Sequence, residues 1–128
     1  METVFPKLLD LAVKQFDENP GADITLAVYT TQGNTYCCVD FGVYNGTCDY
    51  AGTDALLRKM SENADTQAEY IVCLHSRTCV GVISWHFSTE LRQLHPENLQ
   101  AKVLLQGPRP DTYGYKTVAQ LLPPKREI

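Results

Sequence analysis

The sequence predicts an α+β fold, in which a mostly antiparallel sheet is flanked by helices in the order α-β-β-α-β-β-α-β-β. Some segments have apolar residues at the spacing of a helix, and between them lie pairs of segments in which apolar and polar residues alternate, as in strands. Turn residues such as Gln32-Gly33-Asn34 separate the two strands of a pair. The 128 residues, 44% of them hydrophobic and 20% charged, suit a single domain over 1–128 with a tail from about residue 123.

Each half of the chain supplies part of this order. The first half predicts a helix over 4–18, strands over 23–30 and 35–43, and a helix capped by Thr53 or Asp54. The second half predicts strands over 69–75 and 79–87, a short helix over 90–94 capped by Ser88 or Thr89, and strands over 101–106 and 113–122. The paired strands predict hairpins, and hairpins make a sheet mostly antiparallel.

Charge and hydropathy exclude several function classes. The net charge of −4 argues against binding to long nucleic acids, which requires a basic face. No apolar run approaches the roughly 20 residues that span a bilayer, so no membrane association is expected. The first residues lack the basic and apolar regions of a signal peptide. We therefore expect an intracellular protein.

The sequence contains no recognisable catalytic motif. It has no phosphate-binding glycine loop and no GxSxG elbow. The three histidines and five cysteines lack the spacing of a zinc site, so neither a metal nor a cofactor is predicted. Cys73 and His75 lie on one face of a predicted strand and offer the only dyad worth considering for an enzyme.

A cluster around the only tryptophan predicts a binding site. Trp85 lies near the end of the strand predicted over 79–87, with Phe87 on the same side, and Arg92, His95 and Asn98 follow. A flat ring, a guanidinium and an amide suit a nucleobase with a phosphate, because the ring stacks, the amide reads the base edge and arginine binds the phosphate. The alternative is that Trp85 is core and Arg92 merely solvated.

The same stretch resembles a family of small phage proteins, the first-described Thoeris anti-defence sponge. The resemblance lies in Ser84-Trp85-His86-Phe87, Leu91 and Leu94, His95-Pro96, and Leu104-Leu105-Gln106-Gly107. It implies a homo-oligomer, a dimer or a trimer of dimers, that sequesters cyclic ADP-ribose isomers or cyclic oligonucleotides without degrading them. It also implies that Trp85 stacks on a base, that His95 is near a polar contact, and that Arg58 and Arg109 bind phosphates.

The predicted function is therefore a non-enzymatic sponge for a small cyclic nucleotide. Its predicted ligand-binding residues are Trp85, Phe87, Arg58, Arg92, Arg109, His95 and Asn98. The size and acidity of the chain leave a second interpretation open, a small immunity or inhibitor protein that plugs a basic toxin or nuclease.

Overall fold

The computed structural model describes residues 4–42, 50–109 and 112–122 of the chain. Its elements are α1 (Val4–Glu18), β1 (Ile24–Thr30), β2 (Thr35–Asp40), α2 (Ala51–Glu62), β3 (Ala68–Ser76), β4 (Cys79–Val80), α3 (Trp85–Leu94), a 3-10 helix (Pro96–Gln100), β5 (Lys102–Gln106), β6 (Tyr113–Thr117) and α4 (Val118–Leu121). The α+β class and the order of its main elements are confirmed. The predicted tail from about residue 123 lies outside the described residues.

In the described part of the chain, six strands form one sheet. The order is β2-β1-β3-β5-β6, and β4 pairs with β3. All neighbouring strands are antiparallel except β3 and β5, which pair in parallel at Tyr70↔Lys102 and Ile71↔Val103. The sheet is thus mixed rather than simply antiparallel, because the chain crosses over through α3 between these two strands.

Helices cover both faces of the sheet. α1 buries Phe5, Leu8 and Ala12 against one face. α2 and α3 bury Leu56, Met60, Phe87 and Leu91 against the other. The strands supply both layers by alternation, since Leu26 and Val28 face α2 and α3 whereas Ala27 faces α1. Full burial of one such large side chain stabilises the fold by about 1.5–3 kcal/mol.

The prediction of a long strand over 79–87 is wrong. The strand ends at Val80, and α3 begins at Trp85. Ser84 fixes this start because its Oγ accepts a hydrogen bond from the Phe87 backbone N–H at 3.1 Å. Ser88, one of the two predicted caps, lies inside the helix and donates its hydroxyl to the Ser84 carbonyl at 3.1 Å.

The prediction of a strand over 113–122 is wrong in its second half. Strand β6 ends at Thr117, where a capping box begins α4. The Thr117 side chain accepts a hydrogen bond from the Gln120 backbone N–H at 3.2 Å, and the Gln120 side chain accepts one from the Thr117 backbone N–H at 2.9 Å. These paired bonds satisfy two donors that a helix start otherwise leaves open.

Residues 4–42, 50–109 and 112–122 contain no helix with the length and apolar character needed to cross a membrane.

Candidate functional site

A cleft of about 470 Å³ lies between α2 and α3 on one face of the sheet. It is lined by Asp54, Leu57, Arg58, Ser61, His86, Glu90 and Leu94. Its volume falls within the roughly 300–1,000 Å³ typical of pockets for small ligands. The two helices therefore present four ionisable side chains to a space that admits a small molecule.

His86 and Asp54 form the strongest polar contact in this cleft. His86 Nε2 lies 2.6 Å from Asp54 Oδ1, and 34% and 44% of the two side chains are exposed. The Tyr50 ring stacks on the imidazole, with the centroids 4.8 Å apart and the planes 15° from parallel. The carboxylate and the phenol ring together fix the position and orientation of the imidazole.

A buried carboxylate at the end of β2 holds the start of α2. Asp40 accepts a hydrogen bond from the Gly52 backbone N–H at 2.9 Å, and its other oxygen accepts one from the Thr53 hydroxyl at 2.5 Å. The helix therefore begins at Ala51, earlier than the predicted caps Thr53 and Asp54 require. This anchor places Asp54 in the first turn of α2, facing α3.

Gly52 is required at this anchor for steric reasons. A Cβ atom at this position would lie 2.0 Å from the Val39 carbonyl oxygen. The backbone of α2 thus approaches β2 more closely than any side chain at residue 52 permits. Ser84 fixes the start of α3 through its hydrogen bond with the Phe87 backbone N–H. Both helices that line the cleft therefore begin at positions fixed by a side chain.

Beneath the helix starts lies a small buried cavity of about 20 Å³. Cys73 lines it together with Ile83 and Phe87. Burial, helped by the nearby negative charge of Asp40, raises the pKa of the Cys73 thiol to about 12. The residue therefore stays a thiol at neutral pH, which does not suit the nucleophile of a Cys73–His75 dyad.

The structure separates the predicted ligand-binding residues into different places. Arg58 lines the cleft with His86. Trp85, with 67% of its surface exposed, lines a second groove of about 210 Å³ with Arg92, Ser88, Thr89 and Leu122. Trp85 therefore meets Arg92, as predicted for a single site, but Arg58 lies in the other groove.

The other predicted ligand-binding residues lie in a turn, in a helix cap or in the core. Arg109 is exposed in the turn after β5, where its backbone N–H donates to the Thr112 hydroxyl at 3.1 Å. His95 caps the 3-10 helix, because its Nδ1 accepts from the Glu97 backbone N–H at 3.0 Å. Asn98 is completely buried, and Phe87 is only 1% exposed, within the core. Neither of these two buried side chains is accessible to a ligand from solvent.

No group of three histidine, cysteine, aspartate or glutamate side chains in the described ranges is placed to hold a metal ion. Four cysteines in these ranges are free thiols: Cys37, Cys38, Cys73 and Cys79. Cys37 and Cys38 pack against opposite faces of the sheet, as their alternation along β2 predicts.

Comparison with solved structures identifies the fold. It matches the cytidine deaminase from Mycobacterium leprae at a TM-score of 0.69 and 16% identity, over 96% of this chain and 100% of that one. It matches the enzyme from Burkholderia pseudomallei at 0.68 and 13%, over 96% and 98%. It matches that from Bacillus anthracis at 0.68 and 13%, over 93% and 86%. At these identities the likeness establishes the fold alone.

Comparison of the sequence with protein-family models and with curated proteins finds no match.

These comparisons overturn the predicted function. The resemblance to the Thoeris sponge family was misleading, because the solved structures named above, which match nearly the whole chain, are cytidine deaminases. The anti-defence role, the sequestration of cyclic nucleotides and the alternative of a toxin inhibitor lose their support for the same reason. The prediction of a non-enzymatic protein is overturned too, since the solved structures named above are those of enzymes.

No sequence pattern indicates the His86–Asp54 pair. The two residues are 32 positions apart, and the predicted roles were a cap for Asp54 and a strand position for His86. The one signal in the sequence for this pair was Ser84, because a serine can cap a helix that begins at the next residue. A helix that begins there directs the His86 side chain toward α2.

Proposed function

We propose that this chain binds a small nucleoside-like molecule in the cleft between α2 and α3 and acts on it by proton transfer. The contact of 2.6 Å between His86 Nε2 and Asp54 Oδ1, at the wall of that cleft, is the observation that carries the proposal. The cytidine deaminases with the same fold support the class of ligand, as an analogy of fold.

The proton chemistry follows from the contact. Because Asp54 accepts from Nε2, the neutral imidazole carries its hydrogen on Nε2 and its lone pair on Nδ1. Nδ1 is then the atom that takes a proton from a ligand or a water molecule and returns it later in the reaction. The carboxylate also stabilises the imidazolium that forms in between, so the pair acts as one proton-transferring unit.

The charges that line the cleft favour an uncharged or cationic ligand. Asp54 and Glu90 contribute two carboxylates, and Arg58 contributes one guanidinium. A phosphate group would meet more negative than positive charge there, which disfavours a nucleotide relative to the corresponding nucleoside. A flat ring placed against the Tyr50–His86 stack would add about 1–3 kcal/mol of stacking.

Calorimetry with cytidine, uridine, adenosine and cytidine monophosphate tests this proposal. We expect at least one nucleoside to bind, and the monophosphate to bind more weakly. His86→Asn and Asp54→Asn should weaken binding about tenfold, the loss expected when one hydrogen bond to a charged group is removed. Release of ammonia or of an altered base, followed by mass spectrometry, reports turnover.

Asp17→Asn is the matched control for Asp54→Asn. Asp17 is also an exposed carboxylate in an ion pair, 2.9 Å from Arg77 Nε, but it belongs to α1, which covers the opposite face of the sheet. Its substitution should leave the affinity unchanged. If no nucleoside binds, or if both substitutions weaken binding equally, the proposed site is wrong.

A further inference from the structure

The deaminase fold raises the question of whether the chain can build a deaminase zinc centre. Zinc-dependent nucleobase deaminases hold the ion with one histidine or cysteine and two further cysteines, use a glutamate as general acid and base, and carry the signature H-x-E followed by P-C-x-x-C. In this sequence none of the five cysteines follows a proline, and no two of them are separated by two residues. The P-C-x-x-C part of the signature is therefore absent.

The only H-x-E sequence has a different task. It is His95-Pro96-Glu97, which begins the 3-10 helix. His95 Nδ1 accepts a hydrogen bond from the Glu97 backbone N–H at 3.0 Å, so the histidine and the glutamate take part in a helix cap. No element of the described chain places a thiolate beside them.

The cleft itself offers unsuitable donors for zinc. Among the described residues that line the cleft, His86 is the one histidine and no cysteine is present, whereas the deaminase zinc site requires two cysteines beside one histidine or cysteine. In the first turn of α2, a Cβ added at Gly52 would lie 2.0 Å from the Val39 carbonyl oxygen, so this position next to the cleft offers no side chain as a metal ligand or as a general acid and base. Cys73, which lines the cavity below, is only 2% exposed, and among the described residues it belongs to no group of three histidine, cysteine, aspartate or glutamate side chains that could hold a metal ion.

From these observations we infer that this chain is a zinc-free form of the deaminase fold. The side chains of Tyr50, His86 and Asp54 form a metal-free site in place of a zinc site. The inference concerns the same cleft as the proposed function and rests on it only for the ligand. The donor set of the described residues, rather than any bound ion, supports it.

Metal analysis of the full chain tests this inference independently of any ligand. The protein is expressed in zinc-supplemented medium, purified without a polyhistidine tag and examined by inductively coupled plasma mass spectrometry, with carbonic anhydrase as the detection control. We expect zinc far below one equivalent per chain. A melting temperature unchanged by a strong chelator is expected as well, because removing a structural zinc ion would lower it markedly.

Titration with Co²⁺ supplies a second readout, since tetrahedral cobalt bound by thiolate or imidazole has intense visible absorption. We expect only the weak spectrum of hydrated Co²⁺. One equivalent of zinc per chain would overturn the inference, and so would a tetrahedral cobalt spectrum. Absence of nucleoside binding by a zinc-free protein would instead refute the proposed function and leave this inference standing.

Discussion

His86 and Asp54 are each about one third to one half exposed, at 34% and 44% of their side-chain surface. Exposed pairs of this kind contribute about 0–1 kcal/mol to stability, since water screens their attraction. The contact is therefore better suited to orienting the imidazole than to holding the fold together. Its removal should affect function and leave folding nearly intact.

Asp54→Asn should accordingly change the free energy of unfolding by less than about 1 kcal/mol. Urea denaturation measures this change, and calorimetry on the same sample measures the weakened nucleoside binding. A large loss of stability would mean that Asp54 is structural, and the loss of binding would then carry no information about the cleft.

The buried thiol of Cys73 predicts that the protein loses stability at alkaline pH. Burial raises the pKa of Cys73 from 9.0 to about 12, so the folded state keeps this proton at a pH where the unfolded state has lost it. This contribution to stability is complete below pH 9 and is lost as the pH rises toward 12. Cys73→Ala should flatten the decline of the melting temperature over that range. A decline equally steep in the variant would contradict the assignment.

At the scale of elements, the sites are positioned by helix starts that depend on single side chains. Asp40 holds α2, Ser84 begins α3, and Asn98 joins the 3-10 helix to the start of β3. The Asn98 side chain accepts from the Ala68 backbone N–H at 2.7 Å and donates to the carbonyls of Thr66 and Leu91, both at 2.9 Å. These bonds satisfy backbone groups that water cannot reach.

Gly52→Ala should destabilise the protein by about 3 kcal/mol or more, because the added Cβ meets the Val39 carbonyl at 2.0 Å and forces α2 away from β2. Gly114→Ala is the matched control, since a Cβ there would meet nothing within 4 Å. Chemical denaturation compares the two. Equal effects would show that the close approach of α2 to β2 is not needed.

Asn98→Ala should cost about 3 kcal/mol, because buried backbone groups lose their partners. Gln100→Ala, at an exposed position in the same 3-10 helix, should cost less than about 0.5 kcal/mol. Melting temperatures of the two variants suffice for the comparison. A stable Asn98→Ala protein would reopen a ligand-binding role for the amide.

Periodicity predicted α1, the β1–β2 hairpin and the presence of α2, since each has a long and regular apolar pattern. It failed over 79–87, because the run Cys-Val-Gly-Val-Ile-Ser-Trp-His-Phe is apolar enough for either a strand or a buried helix start. The hydrogen bond from the Phe87 N–H to Ser84 Oγ stabilises the helix start in this segment rather than a strand. One misplaced boundary moved Trp85, His86 and Phe87 onto the wrong faces and hid the cleft.

At the scale of the whole molecule, the parallel pairing of β3 with β5 could not be inferred from local pattern. Hairpin signals describe neighbouring strands, whereas this pairing joins segments that α3 and the 3-10 helix separate. The pairing is nevertheless what brings α3 back beside α2. The predicted homo-oligomer remains a prediction, which light scattering of the purified chain tests.

The central claim, that His86 in the α2–α3 cleft receives a nucleoside-like molecule, is tested most directly by the nitrogen chemical shifts of the three histidines. Imidazole ¹⁵N spectra are recorded during titration with cytidine and then with the other nucleosides. The account predicts a saturable shift of His86 Nδ1, whereas His75 and His95 stay unchanged. An unchanged His86 at saturating concentrations of every nucleoside, or equal shifts of all three rings, would contradict it.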